Sequence, residues 1–226
     1  MKLGLFIDPY TNSFYPDLAQ RVHKLLQVPN TQWIIPEDLL DNGLDDYLND
    51  DIDLARENAI NILKAFKNVD AIISLSPRLR HLTKTIFPIL FKNTRWIEHY
   101  QDFLKKFIEL EDYVSQFVER SFSLESEQSS ALVFTYFGNN PSPANYLCTK
   151  LFEQSNFKLP QFFIEETGIL PHHQTKPVLH QVVNQWVELY DTFIFNEMEA
   201  YFHFHAYCLK QGLDCNLHYF AELLED

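Results

Sequence analysis

Glycine and cysteine are both scarce in this sequence. Its 226 residues include five glycines and three cysteines, and no two cysteines have the Cys-x-x-Cys spacing. The sequence contains no P-loop, no dinucleotide-binding glycine motif and no G-x-S-x-G nucleophile motif. These absences argue against the commonest classes of nucleotide-binding proteins and hydrolases. So few cysteines do not form a disulfide framework. We therefore expect free thiols and a cytoplasmic protein.

Basic residues and long apolar runs are scarce as well. Lys and Arg total 18 against 31 Asp and Glu, which gives a formal net charge of −13. Phosphate-rich partners bind through Lys and Arg, so nucleic acid and anionic membrane surfaces are not expected partners. The first apolar run ends at Asp8, and it is too short for a signal peptide or a membrane span. We expect no membrane insertion.

Aromatic residues, in contrast, are abundant. The chain has 20 Phe, 11 Tyr and 3 Trp. Two interpretations stay open at this point. The simpler one is that these side chains fill the core, and the other is that several of them form an exposed apolar patch for a homodimer or a partner subunit.

Two short apolar segments indicate the fold. Residues 71–73 form a continuous apolar run that follows Asp70 and ends in a Ser/Pro turn, and residues 192–195 follow Asp191 in the same way. Continuous rather than alternating apolar residues are typical of a strand in a parallel sheet with helices on both faces. Strands are predicted at 3–7, 32–35, 71–73, 131–136, 161–164, 192–195 and 215–219. Helices are predicted at 13–28, 51–68, 78–87, 96–117, 145–154, 178–189 and 198–211.

The order of these elements repeats in the two halves of the chain. From Gly43 to Asp70 is 27 residues, and from Gly168 to Asp191 is 23. Alternating strands and helices predict parallel units with right-handed crossovers. We therefore predict an α/β fold of two pseudo-repeated Rossmann-like lobes with parallel sheets, related by a pseudo-twofold axis. The lobes are 1–122 and 131–226, with the polar segment 123–130 as linker.

Four segments resemble a known family. They are LGLFIDPYTNSFYPDLAQRVHKLLQ at 3–27, IIPEDLLDNG at 34–43, DLARENAINILKAFKNVDAIISLSPRLRHLTKTIFP at 53–88 and CNLHYFAELL at 215–224. Together they resemble the cysteine-rich CCG-domain iron–sulphur proteins of the LutA type, which serve lactate utilisation. The chain is more distantly similar to the HdrB subunit of heterodisulfide reductase. The resemblance implies a two-lobed fold that works beside partner subunits in lactate or glycolate oxidation.

The family's cluster cysteines are missing from the first half. In the family, each half carries a Cys after its first strand, a Cys-Cys-Gly after its second and a Cys after its third. Here Pro9 takes the first place, Asp41 and Asn42 precede the retained Gly43, and Leu79 takes the last place. The Asn42-Gly43 pair favours a positive φ, and a glycine kept without its cysteines indicates that the backbone needs it.

The second half departs from the family in the same way. Asn139 takes the first place, Glu166 and Thr167 precede Gly168, and Ala200, or a residue next to it, takes the last place. Iron–sulphur clusters need thiolates, which these side chains cannot replace. We therefore expect no iron–sulphur cluster and no other cofactor. The resemblance then implies a non-redox binding or assembly component with a partner subunit or a homodimer. The alternative is an enzyme or metal-binding protein with a remodelled polar pocket.

Polar residues follow the predicted strands at the edge where α/β sheets bind ligands. These residues could bind a small polar ligand, or they could merely satisfy each other's hydrogen bonds in an emptied pocket. The candidate ligand-binding residues are Asp8, Asp41, Asn42, Arg78, Asn139, Glu166, Thr167 and His172. Glu199 is a further candidate of the second pocket, and with His203 and a loop histidine it could form a zinc site. Histidines on an aromatic helix more often pack, so no metal site and no catalytic residue are predicted.

Overall fold

The structure is a computed structural model, and it divides the chain into two compact units, Met1–Val118 and Glu119–Asp226. Each unit is built around its own sheet. The residues that the structure describes are 1–7, 9–36, 42–75, 77–108, 110–118, 122–124, 126–137, 143–166, 183–196 and 198–224.

The first unit contains a four-stranded parallel sheet with strand order β2-β1-β3-β4. Its strands are β1 (Lys2–Phe6), β2 (Gln32–Ile34), β3 (Ala71–Ser74) and β4 (Phe107–Ile108). Its helices are α1 (Pro9–Phe14), α2 (Pro16–Leu25), α3 (Leu44–Leu48), α4 (Ile52–Ala65), α5 (Pro77–Thr85), α6 (Phe87–Phe91), α7 (Ile97–Lys105) and α8 (Leu110–Phe117).

The second unit contains a sheet of the same design, with strand order β6-β5-β7-β8 and all neighbours parallel. Its strands are β5 (Ser130–Phe137), β6 (Gln161–Glu166), β7 (Thr192–Phe195) and β8 (Asn216–Tyr219). Helix α9 (Pro143–Gln154) joins β5 to β6, residues 183–187 are helical, and α10 (Met198–Gln211) joins β7 to β8. A short 3-10 helix, Phe220–Leu223, follows β8.

The predicted α/β fold with two parallel-sheet lobes is confirmed. Both sheets place the first strand of the unit between the second and the third, and both add a fourth strand beyond the third. The aspartates that precede the third strands are equivalent. The amide of Asp70 donates to the carbonyl of Lys2 at 2.8 Å, and the amide of Asp191 donates to the carbonyl of Ser129 at 3.0 Å.

The fourth strand of the first unit corrects the sequence prediction. A single helix over 96–117 was expected, whereas α7 and α8 are separated there by β4, which pairs with β3. Its residues lie between two amphipathic helices, and two residues are too few to interrupt the helical periodicity. Each unit therefore has four strands, and the strand expected at 215–219 is the counterpart of β4.

Prolines divide two of the other predicted helices. The helix expected over 13–28 is α1 and α2, and Pro16 is the first residue of α2. The helix expected over 78–87 ends at Thr85, and Pro88 stands in the first turn of α6. Proline suits the first turn of a helix because it lacks the amide hydrogen that the helix interior requires.

The boundary between the two compact units follows Val118 and so lies before the predicted end of the first lobe at residue 122. Phe122 was assigned to the first lobe, but its ring lies 4.4 Å from that of Phe152 in the second unit. It also pairs with Leu224 in an isolated antiparallel bridge. Phe122 thus contributes buried surface to the second unit, because it is only 5% exposed.

Aromatic side chains fill both cores. The twelve largest side chains that are fully buried are all Phe or Tyr. In the part of the chain that the structure describes, the exposed Phe, Tyr and Trp side chains are Phe117 and Tyr146, one in each unit. The exposed aromatic patch considered from composition is therefore not found among those residues, and core packing accounts for most of the aromatic surplus.

Candidate functional site

Most of the predicted ligand-binding residues fall outside what the structure describes. Asp8, Asp41, Asn139, Thr167 and His172 lie outside the described residues. The backbones of two others are described: Arg78 is the second residue of α5, and Glu166 is the last residue of β6. Their side chains are not described. Asn42 is therefore the one candidate whose side chain the structure describes.

Asn42 and Gly43 form the start of helix α3. The Asn42 Oδ1 accepts a hydrogen bond from the amide of Leu44 at 2.9 Å. Gly43 is the N-cap residue and has a φ of 78°, in the left-handed region. A Cβ atom at Gly43 would lie 2.8 Å from the carbonyl oxygen of Ala55. The positive φ expected at Asn42-Gly43 is confirmed, and the Asn42 oxygen already serves the backbone.

Replacing Gly43 by alanine should destabilise the first unit. The substitution combines a left-handed backbone with a steric conflict against rigid helix backbone, so we expect unfolding free energy to fall by about 2–4 kcal/mol. Amide hydrogen exchange read by mass spectrometry measures this loss in peptides of the first unit separately from those of the second.

Gly212 provides the matched control. It also has a positive φ, 66°, but a Cβ atom there would meet nothing within 4 Å. Gly212→Ala should therefore cost only the backbone conformation, about 1 kcal/mol. Equal losses for the two variants would show that contact with Ala55 plays no part in the requirement for Gly43.

Leu79 and Ala200 occupy equivalent positions behind the third strands. Leu79 follows Asp70 by nine residues, and Ala200 follows Asp191 by nine. Leu79 is 1% exposed and belongs to the core cluster of the first unit, whereas Ala200 is 4% exposed and belongs to that of the second. Neither hydrocarbon side chain can ligate iron. Asn42 supplies an oxygen that is already bonded, so none of these three residues offers a thiolate for an iron–sulphur cluster.

The histidines of α10 contact aromatic neighbours. The ring of His203 lies 5.7 Å from that of Phe202, and the ring of His205 lies 5.9 Å from that of Tyr201. Among the residues described, no group of three or more His, Cys, Asp or Glu side chains is placed to hold a metal ion. The zinc site considered for Glu199 and His203 depends partly on a side chain that is not described.

A histidine and a tryptophan in the first unit bury polar atoms. The ring of His23 packs edge-on against Trp33, with 5.5 Å between centroids, and Trp33 packs in the same way against Tyr113 at 5.8 Å. The His23 Nε2 and the Trp33 Nε1 have no hydrogen-bond partner among the described residues. Burial lowers the pKa of His23 below the ordinary histidine value of 6.5.

The first unit should therefore become less stable as pH decreases. A lowered pKa means that the folded state binds fewer protons than the unfolded chain. The stabilising effect of neutral His23 is present above pH 6.5 and is lost as pH falls through its folded pKa. We expect hydrogen-exchange protection in the first unit to decrease from about pH 7.5 to about pH 5.5, after correction for intrinsic exchange. The variant His23→Phe, which keeps a ring against Trp33, should lose less protection.

His99 supplies the matched control for this pH effect. Its exposed ring also contacts a tryptophan, with 5.2 Å between the centroids of His99 and Trp96. His99→Phe corrects for the general effect of exchanging histidine for phenylalanine. Equal pH slopes in His23→Phe and the wild type would rule out His23 as the cause.

An open groove of about 580 Å³ lies in the second unit, at one end of the strands of its sheet. It is found at the amino ends of β5 and β6, whereas the sequence placed its ligand sites at the carboxyl ends. A hydrogen bond joins two of its lining residues: the backbone amide of Lys158 donates to Glu127 Oε1 at 2.7 Å. The groove combines charged, polar and aromatic side chains, including Glu127, Thr149, Phe152, Lys158, Gln161 and Tyr190. No motif marks it, because its residues come together only through the fold.

No helix within the described ranges is long and apolar enough to span a membrane. No protein-family model matches the chain, and no curated protein is significantly similar to it. Among solved structures, the chain is similar to the glutamate racemase isoform RacE1 from Bacillus anthracis. That alignment has 11% identity and a TM-score of 0.38, and it covers 98% of this chain and 77% of the racemase chain. A periplasmic ribose ABC transporter from Conexibacter woesei is similar at 12% identity and a TM-score of 0.30, over 93% and 68% of the two chains.

Proposed function

We propose that this chain is a cysteine-depleted relative of the LutA-type subunit and acts as a cytoplasmic binding or assembly component that carries no electron-transferring cluster. Its partner is a protein subunit of lactate or glycolate oxidation, or a second copy of the chain. The observation that supports this proposal is the burial of Leu79 and Ala200 in the two cores. The resemblance assigns the family's last cluster cysteine of each half to Leu79 and to Ala200 or a residue next to it.

The retained backbone features support a preserved scaffold. Gly43 keeps the left-handed conformation that begins α3, although the residues before it are no longer cysteines. A loop that keeps its shape after losing its ligands can still present a surface to a partner. A fold by itself does not specify a function, so the partner must be identified by binding.

Charge indicates the kind of partner surface that would fit. For a partner subunit other than a second copy of the chain, the formal net charge of −13 favours association through a basic surface. Such an association should weaken as salt concentration rises, because ions screen exposed charges.

Affinity capture of the full chain from its source cell tests the proposal directly. A tagged chain should recover a subunit of a lactate- or glycolate-oxidising complex in comparable amount, and the amount should fall as salt is raised. If the partner is a second copy, light scattering of the purified chain at micromolar concentration should give twice the mass of the monomer. A strict monomer that recovers no such subunit would contradict the proposal.

A further inference from the structure

Two cysteines of the second unit face each other across a turn. Cys208 lies in the last turns of α10, and Cys215 immediately precedes β8. The chain reverses at Gly212, and the amide of Leu213 donates to the carbonyl of Cys208 at 3.0 Å. This turn places the Cys215 Sγ 3.4 Å from the Cys208 Sγ, within hydrogen-bond distance of sulphur.

The two thiols differ in their access to solvent. Cys208 is only 3% exposed and belongs to the core cluster of the unit, whereas Cys215 is half-buried at its edge. A reagent in solution therefore reaches Cys215 first. The third cysteine, Cys148, lies in α9 and is 1% exposed.

The contact between the sulphurs also makes the pKa values of the two thiols differ. In the neutral pair the Cys215 thiol donates to the Cys208 Sγ. Once Cys215 is ionised, its thiolate accepts from the Cys208 thiol instead, which lowers the pKa of Cys215 and raises the pKa of Cys208. Burial of Cys215 and the nearby carboxylate of Asp214 act in the opposite direction, but the hydrogen bond has the larger effect. The more accessible thiol is thus also the one that ionises first, and thiolates are the reactive form of cysteine.

We propose that Cys208 and Cys215 form a reactive dithiol that takes low-molecular-weight disulfides as its substrates, with Cys215 as the attacking thiol and Cys208 as the resolving thiol. The inference goes beyond the proposed function, because it adds thiol–disulfide exchange to a chain for which the resemblance implies a non-redox role. It requires no iron and no partner subunit.

The reaction balances as an exchange of disulfide bonds. The Cys215 thiolate attacks one sulphur of a disulfide RSSR, forms a mixed disulfide with it and expels the first RS⁻. Cys208 then loses its proton to solvent and attacks the Cys215 Sγ, which expels the second RS⁻. Both thiolates take up protons according to pH, so the net reaction converts the dithiol and RSSR into a protein disulfide and two RSH.

The turn gives the sulphurs room to bond. A disulfide brings its sulphurs to about 2.05 Å, so the pair must close by roughly 1.4 Å. The short segment between the two cysteines includes Gly212, which has open space around it. Small rotations of both side chains and of this turn can supply such a displacement without moving the paired strands.

Oxidised glutathione, added to the native full chain, is the probe. We expect the wild type to lose two hydrogens by mass spectrometry and to yield a Cys208–Cys215 peptide after digestion without reduction. Cys208→Ala should instead accumulate the glutathione adduct at Cys215, and Cys215→Ala should form neither product. Cys148→Ala is the control and should behave as the wild type.

A measurement on the unaltered chain covers the case in which a cysteine variant does not fold. In the native reduced wild type, iodoacetamide should label Cys215 at least about tenfold faster than Cys208. Equal labelling, a wild type that stays reduced, or oxidation that ends in a dimer linked through Cys215 would each overturn the proposal. These results leave the partner and the iron content untouched, so the proposed function stands or falls separately.

Discussion

Replacing Leu79 by alanine is expected to lower the unfolding free energy of the first unit by about 2–5 kcal/mol, the usual cost of removing a buried leucine side chain from a packed core. Leu79 is 1% exposed and shares its cluster with Ile72 and Phe87. Loss of hydrogen-exchange protection in peptides of β1 and β3 would measure the effect, because these strands form the centre of the sheet.

Leu54 is the matched control for Leu79. It is a leucine of the same unit, in α4, and is 42% exposed. Leu54→Ala should change protection by less than about 0.5 kcal/mol. If Leu79→Ala cost no more than this, Leu79 would line an open pocket, and its packing in the core of the first unit would be contradicted.

Phe204→Ala should have a comparably large effect on the second unit, about 3–5 kcal/mol. Phe204 is fully buried in α10, and its ring lies 4.9 Å from Phe193 and 5.2 Å from Phe195 between centroids. The ring of Trp186 stacks on it at 6.5 Å. Removing Phe204 therefore leaves a cavity that aromatic rings of fixed geometry cannot readily fill.

Leu209 lies on the same helix and supplies the control for Phe204. It is 70% exposed, so Leu209→Ala should leave protection of β7 nearly unchanged. Hydrogen exchange should also show that the effect of Phe204→Ala is confined to the second unit. An equal loss of protection in β1 and β3 would mean that the two units unfold together, which would contradict their separate cores.

The elements of the second unit that the sequence located best have clear chemical boundaries. Strand β7 and helix α10 have the bounds that were predicted. A continuous apolar run between Asp191 and Asn196 defines the strand, and Gly212 follows the helix, as glycine commonly does. The two-residue strand β4 had no such boundaries, because its existence depends on pairing with β3.

The candidate site was predictable only where local backbone chemistry decides it. The Asn-Gly pair at 42–43 indicated a positive φ from two residues alone. The groove near Glu127 and Lys158 depends on how segments distant in the sequence meet. The approach of Cys208 to Cys215 depends on the conformation of the turn between them. For the cysteines, the sequence offered a spacing without the geometry of the turn, and no motif of that spacing indicates contact. The ligand-binding role of the residues around Asp8 and Asn139 stays a prediction.

The iron and acid-labile sulphide content of the protein tests the central claim most directly. The full chain should be produced anaerobically together with cluster-assembly proteins, beside a LutA-type subunit with its cysteines intact as the positive control. We predict a colourless protein without bound iron or sulphide, because Leu79 and Ala200 offer no thiolate at the positions that the proposed LutA-type relationship assigns to cluster cysteines. A brown protein with stoichiometric iron and sulphide would contradict the account.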